Sequence, residues 1–416
     1  MKNLSIFALT LGLTLIPTLN ASAEESSASE SPAPAEVMKS EQPKFSVKPS
    51  GRALFDGALF LPNRDGFADG VAIPDVRIGA TASYGKYSLK VDVGYGNGSL
   101  SLKDVYFQYT HDEHNLLRAG YFVQQFGLNS ATSSAMKPQM IAATSDSYLN
   151  ATGRNVGIMY VHDKGPIFLG LTALTPNSLT SSPTKQGKIS VGIVERFVWR
   201  PLRSPGNVVQ VGFSSWYQTP QHNSVTDADG KTGITPGYFS YSVGFPTKVE
   251  SVPMMSATIG NAKGMVRFTP DILLSKDRFA LEGQYYYMNV HRDHGFNSYT
   301  AQGGYGLVRC LLLGDSRYSY SHADAGLATP SPKTLECVLG YDYMNGSDTK
   351  AAIMGGISND YSVTFNYYIN KYMIARLRYS YTNIRSSDVQ FPRHVNIIQA
   401  RLMFKFLYDS FFAVFL

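Results

Sequence analysis

The chain has 416 residues and a formal net charge of +6, with 27 Tyr, 23 Phe and 37 Gly against 2 Cys and 2 Trp. After the first segment no run reaches the roughly 18 apolar residues of a membrane-spanning helix. A basic balance suits nucleic acid, anionic headgroups or an anion pathway, and the export signal described next removes nucleic acid as a partner.

Lys2 gives a positive start, Leu4 to Ile16 is apolar apart from Ser, Thr and Gly, and Ala21-Ser22-Ala23 offers a small-x-small cleavage site before Glu24. Residues 1–23 therefore read as a secretory signal peptide. No Cys follows the cleavage site, which excludes a lipid anchor there. Residues 24–44, rich in Ser, Pro, Ala and Glu, lack an apolar period and read as a disordered periplasmic lead. Five Glu against Lys39 and Lys44 make the lead negative. The remainder, 45–416, then carries about +8 by the same count, enough to make the direction of its basic side chains the central question.

From residue 51 the pattern alternates with period two between Gly, Asn, Asp and Pro turns. At 76–84, Val76, Ile78, Ala80 and Ala82 oppose Arg77, Gly79, Thr81 and Ser83. At 86–95, Tyr87, Leu89, Val91, Val93 and Tyr95 oppose Lys86, Ser88, Lys90, Asp92 and Gly94. At 375–382, Ala375, Leu377, Tyr379 and Tyr381 oppose Arg376, Arg378, Ser380 and Thr382. At 398–406, Ile398, Ala400, Leu402, Phe404 and Phe406 oppose Gln399, Arg401, Met403 and Lys405. Segments of this kind run longer than the roughly 5–6 residues usual in soluble sandwiches, and their apolar face is aromatic. The fold class is all-β: a transmembrane antiparallel barrel with about sixteen strands, from 51–60 to 393–406, the average hydropathy arising because lipid-facing and wet positions alternate. Short links at Gly85, 163–165 and 275–277 are assigned to the periplasm. Three connections, 123–153, 218–261 and 314–332, are long enough to be functional and to fold inward and narrow a lumen.

The face opposite the aromatic one collects Arg77, Lys86, Lys90, Arg376, Arg378, Arg401 and Lys405, with Arg118 and Arg196 added on the same reasoning. Arg on the lipid face at mid-depth would cost roughly 2–4 kcal/mol, so these residues are expected to line water. The bland alternative is that some merely pair with luminal acids such as Asp92. His111-Asp112-Glu113-His114 and His291-Arg292-Asp293-His294 fall at strand ends and read as solvated turns, not metal sites, which need three or four convergent ligands. No spacing joins a nucleophile, a base and an orienting residue. No enzyme, cofactor or metal is expected. Cys310 and Cys337 fall on neighbouring strands and are read as unpaired residues of the lipid face.

Several runs resemble the phosphate-selective porin O and P family. Leu102-Lys103-Asp104-Val105-Tyr106-Phe107-Gln108-Tyr109-Thr110 is similar to its LKDAYIRYT-type strand. Gly120-Tyr121-Phe122-Val123-Gln124-Gln125-Phe126-Gly127-Leu128, with Thr132-Ser133-Ser134 after it, resembles its approach to the third loop. Arg154-Asn155-Val156-Gly157-Ile158-Met159, Arg196-Phe197-Val198-Trp199-Arg200-Pro201, Phe279–Tyr286 and Asn366–Asn370 follow in the family's order. The resemblance implies a sixteen-stranded homotrimer in the outer membrane, luminal constriction elements and basic ladders guiding anions, with Asp104 carried over as part of the charged constriction. Val123 stands where the family has a lysine, and Ala135 and Met136 where it has an arginine.

The function expected is a water-filled pore for passive diffusion of small hydrophilic solutes, anion-preferring, with phosphate among the anions, and outer-membrane lipids around it. The rivals are a channel for a bulkier sugar or peptide, for which Tyr286 could serve as a stacking position, and a plugged structural or adhesive barrel.

Overall fold

The computed structural model describes residues 43–61, 67–96, 98–132, 137–150, 153–176, 188–250, 252–322, 325–385 and 394–407. The signal peptide, nearly all of the lead and the tail 408–416 lie outside the described residues.

Sixteen antiparallel strands close into one barrel. Its first half is β1 (Phe45–Leu61), β2 (Gly70–Tyr84), β3 (Tyr87–Gly96), β4 (Ser99–Thr110), β5 (Asn115–Val123), β6 (Arg154–Lys164), β7 (Ile167–Thr175) and β8 (Gly192–Ser204). The second half is β9 (Asn207–Gln218), β10 (Ala262–Lys276), β11 (Phe279–Arg292), β12 (Tyr299–Leu313), β13 (Thr334–Asp348), β14 (Ile353–Tyr368), β15 (Met373–Arg385) and β16 (His394–Leu407). Every strand read from the alternation is present, and β1 starts at Phe45, earlier than the 51 expected. β1 and β16 pair from Ser50↔Leu407 to Leu61↔Asn396, which removes the free edge.

The side-chain alternation follows from the two solvents. On β15, Leu377 and Tyr379 are exposed outward while Arg376, Arg378 and Ser380 are buried inside. Lipid rewards the first set, and the backbone is satisfied entirely between strands, as a hydrocarbon surround demands. No helix among the described residues is long and apolar enough to cross a membrane. An even strand number brings both ends of the barrel to one mouth, where the links are mostly short.

The three long connections enter the barrel. The first carries two short helices, α1 (Gly127–Ala131) and α2 (Thr144–Leu149). The second forms a hairpin of Phe239–Gly244 with Pro253–Ile259, and the third, from the opposite mouth, a bridge of Tyr320–Ser321 with Gly326–Leu327. Together they give the barrel an interior core that the strands alone lack. Phe126, Trp216, Tyr286, Met254, Met255 and Ile259 are buried within it.

Cys310 and Cys337 are direct partners across β12 and β13, with free thiols. The first histidine run is the β4–β5 turn, where Asp112 accepts backbone N–H groups of His114 and Asn115, both at 2.8 Å. In the second run Asp293 pairs with Lys263 at 2.7 Å.

Candidate functional site: a basic wall beside a packed lumen

The open part of the lumen lies along β1 to β6. There the sheet is irregular in a way that concentrates charge. Val91 pairs with Val105 but Val93 with Leu102, so Asp92 faces both Lys103 and Asp104. A bulge of this kind re-aims side chains. Here it turns two consecutive charged residues inward where strict alternation would send one into lipid. A second shift between Leu54 and Asp56 sits opposite Ile73-Pro74, consistent with proline being tolerated at bulges.

Ion pairs run around this wall. Arg52 lies 2.5 Å from Asp75, and Arg77 3.4 Å from the same carboxylate. Lys90 is 3.3 Å from Asp92 and 3.7 Å from Asp104. Arg154 donates to Asp104 at 2.8 Å. Arg118 donates to Gln108 at 2.8 Å and stacks 4.1 Å from the Tyr106 ring centre. Beside them is about 2100 Å³ of space open to solvent. Among the described residues it is lined by seven cations (Arg52, Arg77, Lys90, Arg118, Lys137, Arg154 and Lys405) and three carboxylates, Asp92, Asp104 and Asp146. The surplus is positive even after each acid is given a partner.

The other side of the lumen is filled. The first inserted segment makes a sharp entry at Gly127, whose φ of +77° is a left-handed conformation that favours glycine. A Cβ there would fall 1.8 Å from Gln284 Nε2. The Gly127 N–H donates to Ser214 Oγ and the Asn129 N–H to Gln284 Oε1, both at 3.0 Å. Asp342 then takes the start of α2, accepting from Thr144 N–H at 2.6 Å and Ser145 Oγ–H at 2.5 Å. Tyr286 donates to Asp146 at 2.6 Å; it is buried against Phe126 and holds this segment, so it presents no face to a passing solute. From the other mouth, Tyr318 donates to Glu336 at 2.8 Å and Tyr320 to Gln210 at 2.7 Å. Glu336 also receives Arg309 at 2.8 Å and Asn366 at 3.0 Å, and Asn366 reaches the Pro138 carbonyl at 2.8 Å. One buried carboxylate thus links two inserted segments to the wall.

The charged residues singled out in the sequence divide into three groups. Arg77, Lys90, Asp104, Arg118 and Lys405 border the open space. Arg376, Arg378 and Arg401 point inward but grip inserted backbone: Arg376 on the Gln139 carbonyl at 3.0 Å, Arg378 on that of Pro246 at 3.2 Å, and Arg401 on that of Met140 at 2.5 Å. Arg378 and Arg401 also pair with Asp360 and Asp56, both at 2.6 Å. Arg196, 1% exposed, lies 5.8 Å from the Phe168 ring centre in the packed half. Lys86 is exposed in the β2–β3 turn and donates to the His111 carbonyl at 2.6 Å, away from the open space.

Arg52, Lys103, Lys137 and Arg154 were not singled out. Arg52 was within reach, since it shares inward parity with Asp56 and faces Arg77 directly. Lys103 is hidden by the bulge. Arg154 has the parity of Ile158 and Tyr160, but β4 stops pairing with β5 beyond Val105↔Tyr121, and the freed strand end turns inward. Lys137 stands in a connection with no period to read.

The model of the phosphate-selective porin O and P family matches residues 68–406. No curated protein matches in sequence. Among solved structures, the outer-membrane protein OmpT of Vibrio cholerae in its trimer form has a TM-score of 0.56 at 8% identity, over 87% of this chain and 99% of that one. The outer-membrane channel DcaP of Acinetobacter baumannii has a TM-score of 0.50 at 12% identity, over 88% of this chain and 99% of that one. At such identities these likenesses concern the fold. With the family's model matching most of the barrel, and lumen and wall arranged as above, this chain belongs to the phosphate-selective porin O and P family and is a porin of the bacterial outer membrane.

Proposed function

We propose that this porin conducts small hydrophilic anions, phosphate and other small anions among them, by passive diffusion along the β1–β6 wall, as a homotrimer. The solute moves down its gradient without chemical change, so no enzymatic step is involved. The observation that carries the anion reading is the balance of seven cations to three carboxylates around the open space. Water keeps those charges hydrated, and their summed field raises the local anion concentration. Spaced charges let an ion pass from one to the next without being trapped. The trimer is supported by the family and by the trimer form of the similar Vibrio cholerae protein.

Reversal potentials in a planar bilayer under a potassium chloride gradient test the reading. Chloride should be the more permeant ion, and converting Arg77 and Arg118 together to Glu should weaken or invert the preference. A cation-selective wild-type channel would overturn it.

A further inference from the structure

The lipid-facing side of β12 to β15 changes character with height. Partner residues form rows across these four strands. The lowest considered is Val308, Leu339, Val363 and Tyr379. Above it come Gly306, Tyr341, Tyr361 and Tyr381, then Gly304, Tyr343, Asn359 and Asn383, and last Gln302, Asn345, Ile357 and Arg385. Aliphatic residues thus give way to tyrosines, then to amides, and then to a guanidinium. The top row borders an open groove of about 1130 Å³, to which Thr300, Ser347, Lys350 and Met354 contribute.

This rim is at the mouth opposite both barrel ends. Tyrosines mark a membrane–water interface. A cation on the lipid face costs about 2–4 kcal/mol at mid-depth but roughly 0–1 near the interface, so Lys350 and Arg385 set the top row at headgroup level. Two amide oxygens are already occupied from below: Tyr341 donates to Asn359 Oδ1 at 2.8 Å and Tyr285 to Gln302 Oε1 at 2.7 Å. These bonds orient the amides and leave their NH₂ groups as donors. Asp348, the groove's carboxylate, accepts the backbone N–H groups of Thr300, Lys350 and Ala351 at 2.9, 3.0 and 3.2 Å, which stabilises its charge within the turn. Lys350 and Arg385 are both exposed.

We propose that this face binds the phosphorylated sugar head of an outer-leaflet glycolipid. Lys350 and Arg385 take a phosphate, the amide rows take sugar hydroxyls, and the acyl chains lie along the tyrosine and aliphatic rows below. Arginine suits phosphate because its planar fork matches two oxygens at once. A phospholipid headgroup would use the two cations but has little to offer a row of amides.

The test uses the folded full-length chain in detergent and native mass spectrometry with three lipids: a phosphorylated lipid A carrying its inner sugars, the same lipid dephosphorylated, and phosphatidylglycerol. The phosphorylated glycolipid should bind about tenfold more tightly than either other lipid, and Lys350→Gln with Arg385→Gln should weaken it by about tenfold. Asn345→Ala with Asn359→Ala should weaken the glycolipid and leave phosphatidylglycerol unchanged. Wild-type bilayer conductance identifies folded variants, because none of these side chains faces the lumen. If folded Lys350→Gln/Arg385→Gln protein binds the glycolipid like the wild type, or the wild type prefers phosphatidylglycerol or binds all three lipids equally, the assignment is overturned.

Discussion

A fixed charge beside a watery path acts weakly but measurably on each passing ion. At about 8 Å and the dielectric of water, one unit charge shifts an ion's energy by roughly 0.5 kcal/mol, near a twofold change in local concentration before salt screening. Asp104 lies among cations, 2.8 Å from Arg154 and 3.7 Å from Lys90. Asp104→Asn therefore raises the local concentration of anions and lowers that of cations, each by that factor, so the anion-to-cation permeability ratio should rise about fourfold, measured from reversal potentials at low salt, with the effect shrinking as salt is raised. Lys137 adds a pH handle. Burial holds its ammonium below the usual lysine range, against the pull of Asp146 and Glu282. Its proton is therefore lost earlier on the way to alkaline pH than an exposed lysine's, and losing it removes positive charge from the open space. Anion preference should decline on that alkaline approach, while Lys137→Arg should keep it flat over the same range; parallel titrations of the two channels would dispose of this account.

At the scale of elements, the inserted segments are held by a few buried polar anchors. Asp342 is the clearest, since Thr144 and Ser145 at the start of α2 both donate to it. Asp342→Ala leaves those donors buried without an acceptor, costing about 1–3 kcal/mol locally. Gly127→Ala forces a side chain into a left-handed backbone for about another 1–3 kcal/mol, besides the overlap with Gln284. Neither residue holds the barrel wall together. Both variants should keep the heat-resistant migration of a folded barrel while open-channel current noise rises; noise equal to wild type would mean the segment is held elsewhere. The strands themselves were legible because two solvents impose period two on every one of them, and Arg376 or Lys90 can be assigned a side by counting. Counting fails where the ladder is irregular, as at Lys103 and Asp104, and where it ends, as at Arg154. It also cannot distinguish inward from available: Arg77 and Arg378 have the same parity, yet one borders water and the other grips the Pro246 carbonyl. That difference is set by where the connections go, which no local pattern encodes.

For the whole molecule, the consequence is an eccentric pore. The strands enclose a wide lumen, but segments from both mouths occupy the β8–β16 side, and solvent keeps the side of β1 to β6. The packed half mixes both signs: Arg196, Arg267, Arg376, Arg378 and Arg401 stand on its walls, several of them bonded to inserted backbone, with Asp56, Glu336, Asp342 and Asp360 among them. Removing the second insert should uncover Arg267, which donates to Tyr241, and Arg378, which stays paired with Asp360. Replacing 222–259 with a short Gly-Ser link takes away the Pro246 carbonyl shared by Arg378 and Gln399 and the Tyr241 hydroxyl that receives Arg267 at 3.2 Å. Conductance in bilayers should rise, because cross-section is gained. Anion preference should survive the widening, because Arg267 and Arg378 lose neutral partners while Asp360, the carboxylate bonded there, stays paired with Arg378. A wider pore without such a wall would drift toward the bulk mobility ratio of the salt. A deletion channel that conducts more but discriminates less would therefore show that the β1–β6 wall alone sets selectivity, and one that conducts no more would show that the packed half does not limit the current.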